Sequence, residues 1–534
     1  MNEARNMGKT SAKGSSQLFI GKIASTLMLA LGSIIVGMFI NDAEYGLYTI
    51  AVVPAATFLL FQDWGVSAAL TKYCANYRAA KKEEELRAII VSGLTFEVIT
   101  AGALTLLSLL MANLIASSIF NNPASTFLLI LASITILSGG IYGCSVGIFV
   151  GFEQMKLSTI AMIIAAIVQG VLSPLLVYLG FGALGAMVGF TLSSVASGVT
   201  SIALLYFVIF RKLPSRSTKK VKIFQTLKPL LHYGIPLSIA GIVGGLSPQI
   251  TSFAMASFTD TAIIGNYKIA LNFAVFLTFF VYPIQTVLFP AFSKLDPSRD
   301  KQLLKTVYAS SVKYASLFMV PATIGLIVMS TPLVSTLFGD KWPQAPLFLT
   351  LYVVGNLLTL IGNLSYGRLL YATGETRLLM WLNALKSFIA IPLAFLLIPP
   401  FGILGVIFSG FLGGLPSMII GVYLTWRRYE TKADFRNSTK IFLASAIAGA
   451  TTYLFLSNLD AAAWINLTAG VVLFLFEYLV LLPLVDAINQ MDVNNLRITF
   501  SELGSPSKLL EMPLKLIEKS LIFKKTVLKQ QNNK

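Results

Sequence analysis

The sequence predicts an all-α polytopic membrane protein of about 14 transmembrane helices, arranged as two parallel six-helix repeats plus two extra C-terminal helices. Four observations predict it. Of 534 residues, 56% are hydrophobic and only 12% are charged, against about 25% charged in soluble chains. Apolar runs of 18 or more residues recur along the chain, each long enough to cross a hydrocarbon core of about 30 Å as a helix. The alternation of a membrane β-barrel is missing. Finally, the two halves echo each other at an offset close to 220 residues.

Residues 1–17 are polar and basic, and the apolar run after them lacks a small-residue cleavage site. It therefore reads as a first span rather than a removed leader. Spans are predicted at residues 18–40, 45–66, 88–118, 124–150, 157–179, 183–210, 229–256, 262–292, 307–338, 345–372, 378–398, 402–426, 441–457 and 464–485. The runs 88–118 and 307–338 exceed a straight crossing and are expected to tilt or project. The domains that follow are a six-helix lobe at 18–210, a basic linker at 211–228, a second six-helix lobe at 229–426, two added helices at 427–485 and a basic tail at 486–534.

Charge sets the orientation. With the N-terminus inside, the inner segments hold 34 of the 40 Lys and Arg residues; the outer loops hold Lys341 alone, and five cations lie within spans. The excess predicts cytoplasmic N- and C-termini in a cytoplasmic membrane. Anionic lipid, not nucleic acid, is then the partner of a net charge of +17.

The internal repeat is specific. Gly46-Leu-Tyr48-Thr-Ile-Ala51 matches Gly265-Asn-Tyr267-Lys-Ile-Ala270 as GxYxIA, and each copy follows an outer loop with an acid, Asp42 or Asp260. Phe181-Gly182-Ala-Leu184-Gly185 matches Phe401-Gly402-Ile-Leu404-Gly405 as FGxLG. The repeat holds six spans, an even number, so both copies enter the membrane the same way. Such parallel repeats are related by an axis along the membrane normal, with a cavity at their interface.

Packing signals accompany the repeat. The pairs Gly143/Gly147/Gly151, Gly185/Gly189, Gly241/Gly245 and Gly410/Gly414 have the spacing that lets helix backbones approach. Prolines within spans, among them Pro54, Pro174, Pro236, Pro248, Pro321, Pro392 and Pro416, predict kinks. Cys74 and Cys144 are too few for a disulfide framework or a metal site, and no cofactor motif is present. In the tail, Leu510, Leu514, Ile517, Leu521 and Leu528 follow helical spacing. Either an interfacial helix on the cytoplasmic leaflet or a solvated tail suits that pattern.

Residues 41–90 carry a family resemblance. An outer loop leads into Tyr45-Gly46-Leu47-Tyr48, then an acidic-aromatic-Gly turn, Asp63-Trp64-Gly65, then Lys72-Tyr73 on a basic helix. This block resembles polysaccharide-type lipid-linked oligosaccharide flippases of the multidrug/oligosaccharidyl-lipid/polysaccharide exporter superfamily. The LFPAFSK stretch at 288–294 and the six-plus-six-plus-two arrangement are similar too. The resemblance implies a protein that moves a polyisoprenyl-(di)phosphate-linked oligosaccharide between leaflets by rocking two lobes around a hydrophilic cavity. It also implies coupling to an ion gradient or to the membrane potential, with H+ and Na+ as the candidate ions and no motif that selects between them, and leaves open a link to glycan-assembly proteins.

Charges within spans cost about 2.5–3.5 kcal/mol each on insertion scales and are functional candidates by default. An anionic lipid phosphate calls for cations. Lys268 is the foremost candidate, with Asn272 four residues on and so on the same helix face; snorkelling to the headgroups competes with it. Lys386 lies eight residues into its span, about 12 Å deep. Lys22 lies one turn into span 1, which the resemblance places on the cavity wall. Gln249, Asn272 and Gln285 are candidate sugar contacts. Asp63 either pairs with Lys22 or Lys72 or caps its turn, and Glu97 is a candidate coupling carboxylate. For Lys313, Arg368, His232 and Glu477, interfacial or structural roles are expected.

A glycan-processing enzyme would need carboxylates or a metal site on large outer loops, and the sequence has neither HExxH, a Cys/His cluster nor DxD. The remaining alternative is a cation-coupled drug or metabolite exporter of the same superfamily. Its substrates call for buried carboxylates, whereas the deep charges here lean basic.

Overall fold

The structure, a computed structural model, describes residues 2–213, 223–279, 292–297, 299–501 and 507–532, and every regular element among them is helical. In chain order they are α1 (Asn2–Phe39), α2 (Asp42–Ala51), α3 (Val53–Leu59), α4 (Val66–Ala79), α5 (Glu83–Leu114), α6 (Thr126–Gly151), α7 (Met155–Leu176), α8 (Gly182–Leu204), α9 (Ile223–Phe258) and α10 (Thr261–Ala274). There follow α11 (Lys301–Phe338), α12 (Ala345–Val354), α13 (Asn363–Ala372), α14 (Thr376–Phe401), α15 (Ile403–Tyr429), α16 (Phe435–Ser457), α17 (Ala463–Leu484), α18 (Gln490–Ser501) and α19 (Ser507–Asn532). Among the described residues, nine helices are long and apolar enough to cross a membrane, or eleven when two bent pairs each count as one span. The chain is a multi-pass helical membrane protein.

Three of the predicted spans are broken or sharply bent; the seventh bends by 45° between Ile239 and Gly241. The second is broken into α2 and α3, with Pro54 in the first turn of α3. The tenth bends by 58° between α12 and α13, through a 3₁₀ stretch that ends at Gly362 with φ of 94°. A left-handed glycine makes that break, whereas Pro321, Pro392 and Pro416 sit inside helices that run on through them. Helix α11 has 38 residues and is about 57 Å long, well beyond a bilayer core.

The chain forms two compact units, residues 1–272 with 383–413, and residues 273–382 with 414–534. In the first unit the repeated glycines do matching work. A Cβ on Gly46 would lie 1.8 Å from the Thr261 carbonyl oxygen, and one on Gly265 would lie 2.1 Å from the Asp42 carbonyl oxygen. Exchanging the two copies of the repeat turns one contact into the other, as a two-fold relation requires. The FGxLG copies also agree. Gly182 and Gly402 both have positive φ, 48° and 55°. Gly185 and Gly405 both lie against helix backbone, at Leu176 and Leu397.

Of the small-residue pairs, Gly147, Gly151 and Gly189 press on the backbone of Ser67, Thr71 and Ser173. Gly241 and Gly410 meet nothing within 4 Å, so the expected close packing fails at those two.

The second unit is centred on an apolar cluster in which Leu317, Val320, Phe474, Tyr478 and Leu482 meet Leu496, Leu514 and Ile517 of the tail. The Tyr478 hydroxyl donates to the Leu317 carbonyl at 2.7 Å. Leu514 and Ile517 of α19 thus face protein, as a solvated tail would not. Ion pairs hold the tail in place. Lys313 reaches Asp492 at 2.6 Å with both side chains largely buried, Arg497 bridges Glu511 and Glu518, and Lys524 reaches Asp486 at 2.7 Å. Lys524 also donates to the carbonyls of Pro483 and Leu484 at the end of α17, where a cation offsets the helix dipole.

The Arg497 guanidinium holds the Glu518 carboxyl below its ordinary value of 4.5, and Lys524 holds Asp486 below 3.8. Both depressions favour the docked tail above the ordinary carboxylate range; the contribution disappears as pH falls through the lowered values.

Two outcomes are expected. Gly46→Val destabilises by about 1–3 kcal/mol, the range for forced overpacking, in thermal unfolding in detergent, whereas Gly102→Ala, with nothing within 4 Å, changes stability by about 1 kcal/mol or less. Asp492→Ala strands Lys313 and costs about 3 kcal/mol, the low end for breaking a buried pair; trypsin then cleaves at Arg497 faster than in the parent.

Candidate functional site

The residues nearest the repeat crossing come from α2 and α10. Asn41 caps α2 by accepting from the Glu44 amide at 2.8 Å, and the Asp260 carboxylate accepts from the Ala262 amide at 2.9 Å at the start of α10. One turn further in, Tyr45 is buried, and its hydroxyl accepts from Asn272 Nδ2 at 2.9 Å. Asn272, expected to contact sugar, thus spends an amide donor tying α10 to α2. Lys268, one turn before it, is half-buried and makes no hydrogen bond or ion pair among the described residues. Beside Tyr45, a cavity of about 10 Å³ is lined by Ser33, Tyr48, Gln169 and Ser173, room for about one water.

A second polar group lies at the far end of α3. The Glu97 side chain, on α5, is fully buried, and neither of its carboxyl oxygens has a hydrogen-bond partner among the described residues; Gln62 Oε1 has none either. A Cβ on Gly140 of α6 would lie 2.6 Å from Glu97 Oε1 and 3.2 Å from Gln62 Oε1. A side chain at position 140 would push the carboxyl from this position. Leaving such a set of acceptors unmet costs about 1–3 kcal/mol or more.

Asp63 caps a helix in this structure. Its Oδ1 accepts from the Ser67 amide at 2.8 Å and the Ser67 hydroxyl at 2.7 Å, which caps α4. Lys72 stands over the Tyr233 ring at 4.1 Å instead of pairing with Asp63, and Lys22 is exposed with no ion pair among the described residues. The Asp63-Trp64-Gly65 turn closes on α9, where a Cβ on Gly65 would lie 2.1 Å from the Gly234 carbonyl oxygen.

Of the other candidates, Gln249 is half-buried on α9 and Lys386 is exposed on α14. Gln285 lies outside the described residues, as does most of LFPAFSK. Lys313 pairs with Asp492, and Glu477 accepts from the Thr451 hydroxyl, both structural roles. Within the second unit, α11, α17 and α19 enclose an apolar groove of about 520 Å³, lined by Phe318, Met329, Phe474, Leu475, Leu514 and Ile517 among others. Among the described residues no three His, Cys, Asp or Glu side chains gather as a metal site.

The family model described as polysaccharide biosynthesis protein matches residues 11–296, more than half of the chain. The chain belongs to the polysaccharide biosynthesis protein family. Among members and relatives, it is 25% identical over 381 residues to the lipopolysaccharide biosynthesis protein WzxC of Escherichia coli K12, covering 69% of this chain and 72% of that one. It is 24% identical over 378 residues to stage V sporulation protein B of Bacillus subtilis, covering 65% and 72%. The fold is shared with the lipid II flippase MurJ in its inward closed conformation, at TM-score 0.69 and 18% identity over 87% of this chain and 97% of that one. An inward-facing multidrug resistance MATE transporter of the MOP superfamily is similar at TM-score 0.62 and 17% identity, over 77% and 98%.

Gln62 and Gly140 were not singled out by the sequence, and Tyr45 only as the first residue of the Tyr45-Gly46-Leu47-Tyr48 block. Tyr45 had a signal, since it precedes the repeated GxYxIA element. Gln62 and Gly140 had none that distinguishes them from other polar and small residues in spans.

One outcome follows from the unmet carboxyl. Glu97→Gln raises the thermal unfolding midpoint in detergent, because it removes an uncompensated buried acid; a fall of several degrees would show that the carboxylate is paired in the working protein.

Proposed function

We propose that this protein moves a polyisoprenyl-(di)phosphate-linked oligosaccharide or polysaccharide repeat unit from the cytoplasmic to the outer leaflet by alternating access. Family membership over more than half of the chain carries the reading. The relatives' names agree: WzxC is a lipopolysaccharide biosynthesis protein, and Agl15 of Haloferax volcanii, 21% identical over 312 residues, is a probable low-salt glycan biosynthesis flippase. The positive charge of the inner segments supports cytoplasmic termini.

The chemistry divides among three places. Lys268, half-buried beside the α2–α10 crossing, is the cation for the lipid phosphate. The apolar groove of the second unit fits a polyprenyl chain, whose hydrocarbon gains about 25 cal/mol for each Å² it takes from water. Glu97 is the coupling site, where uptake of H+ or Na+ satisfies the buried oxygens and biases one conformation over another. The crossing of α2 and α10, closed by Gly46, Gly265 and the Tyr45–Asn272 hydrogen bond, is the outer gate. In this scheme no bond of the substrate is made or broken, so the protein acts as a transporter and not as an enzyme.

Purified protein in liposomes holding a short lipid-linked oligosaccharide in both leaflets provides the test. The inner pool becomes accessible to an impermeant glycan-modifying reagent only with protein, and Lys268→Ala slows this by about tenfold to a hundredfold, as loss of one charge-assisted contact of about 1.5–3 kcal/mol requires. Glu97→Gln abolishes the response to an imposed gradient while leaving the protein folded. No change in accessibility under any gradient would contradict the flippase reading and favour an exporter of organic cations, for which Glu97 would be the binding carboxylate.

A further inference from the structure

A second cavity in the second unit, of about 510 Å³, lies where α15 ends and the chain turns through residues 430–434 into α16. Its walls include Met418, Val422, Tyr423 and Trp426 of α15, with Thr431 and Lys432 of the turn. Tyr423 and Trp426 are about half exposed and pack edge to face at 5.7 Å. Amphipathic rings at the end of an apolar span mark the membrane–water boundary.

The polar side of the cavity is built and unsatisfied. Thr431 is 2% exposed, and its Oγ1 is buried without a hydrogen-bond partner. Lys432 sits 5.2 Å over the Trp426 ring, is exposed, and forms no ion pair among the described residues. The acids around the turn are already engaged. Glu430 pairs with Lys305, Glu375 pairs with Arg428, and Asp434 caps α16 by accepting from the Asn437 amide and its side-chain Nδ2. What remains is a cation and a buried hydroxyl, both donors, above an apolar wall.

We propose that this cavity is a binding site for an anionic phospholipid of the leaflet that faces the basic loops. Its phosphate accepts from Thr431 Oγ1 and Lys432 Nζ, and an acyl chain lies along Met418, Val422 and Tyr423. A free phosphate has no use for that wall, and a zwitterionic lipid brings its own cation to the place that Lys432 occupies. The site is separate from the groove and from Lys268, and it rests on the chain's place in a membrane rather than on what the chain transports.

The full-length protein is reconstituted in phosphatidylcholine vesicles containing a small fraction of brominated phosphatidylglycerol or brominated phosphatidylcholine. Bromine quenches tryptophan on contact, and the difference between the parent and Trp426→Phe isolates Trp426 from the other four tryptophans. Brominated phosphatidylglycerol is expected to occupy the Trp426 site about fivefold more than brominated phosphatidylcholine, the preference that one lysine gives at an anionic surface. Lys432→Glu removes the preference, and Thr431→Val reduces it while leaving quenching by phosphatidylcholine unchanged. Equal quenching by the two lipids in the parent, or a preference that survives Lys432→Glu, overturns the proposal.

Discussion

The first unit depends on a contact between backbones. At the crossing of α2 and α10, Gly46 lies against the Thr261 carbonyl and Gly265 against the Asp42 carbonyl, each too close for any side chain. Nothing in a bilayer drives helices together by hydrophobicity, because lipid tails are as apolar as leucine. Association there rests on close packing and on hydrogen bonds such as Asn272 to Tyr45. A contact of that kind is tight when formed, and opening it exposes little that lipid or water would penalise. Such a contact suits a gate.

Polar groups elsewhere divide by whether they are satisfied. Asp63, Glu477, Lys313 and Asp492 all have partners, and each holds a helix end or ties one helix to another. The two buried carboxyl oxygens of Glu97 have none among the described residues. In a low-dielectric interior an unmet acceptor is costly, so this site carries a cost that folding alone does not explain. That contrast, more than the number of intramembrane charges, sets Glu97 apart from the satisfied acids.

The fold class was legible because it depends on composition and length. The repeat was legible because its glycines perform the same task twice, in a turn at Gly182 and Gly402 and in close approach at Gly46 and Gly265. Breaks in spans were less so. Proline marks a missing donor in the sequence but does not break a helix at Pro321 or Pro392, while the bend at Gly362 comes from a backbone angle that many glycines never adopt. The tail's amphipathic pattern was visible, but a stripe of leucines has no label for what covers it; the cluster that buries Leu514 and Ile517 against Phe474 and Tyr478 comes from residues distant in sequence. For the same reason the carboxyl of Glu97 was visible and its setting with Gln62 and Gly140 was not.

The most direct test of the account is whether the α2–α10 crossing opens during transport. A cysteine in place of Ile269, buried on α10 one turn after Gly265, would report it under an impermeant thiol reagent, since Cys74 and Cys144 are both buried. The account predicts labelling at rest about tenfold slower than at an exposed Ala43→Cys site, and faster labelling when lipid-linked oligosaccharide and an ion gradient are supplied. Labelling at rest as fast as at residue 43, or a rate that substrate and gradient leave unchanged, would contradict a gate at this crossing.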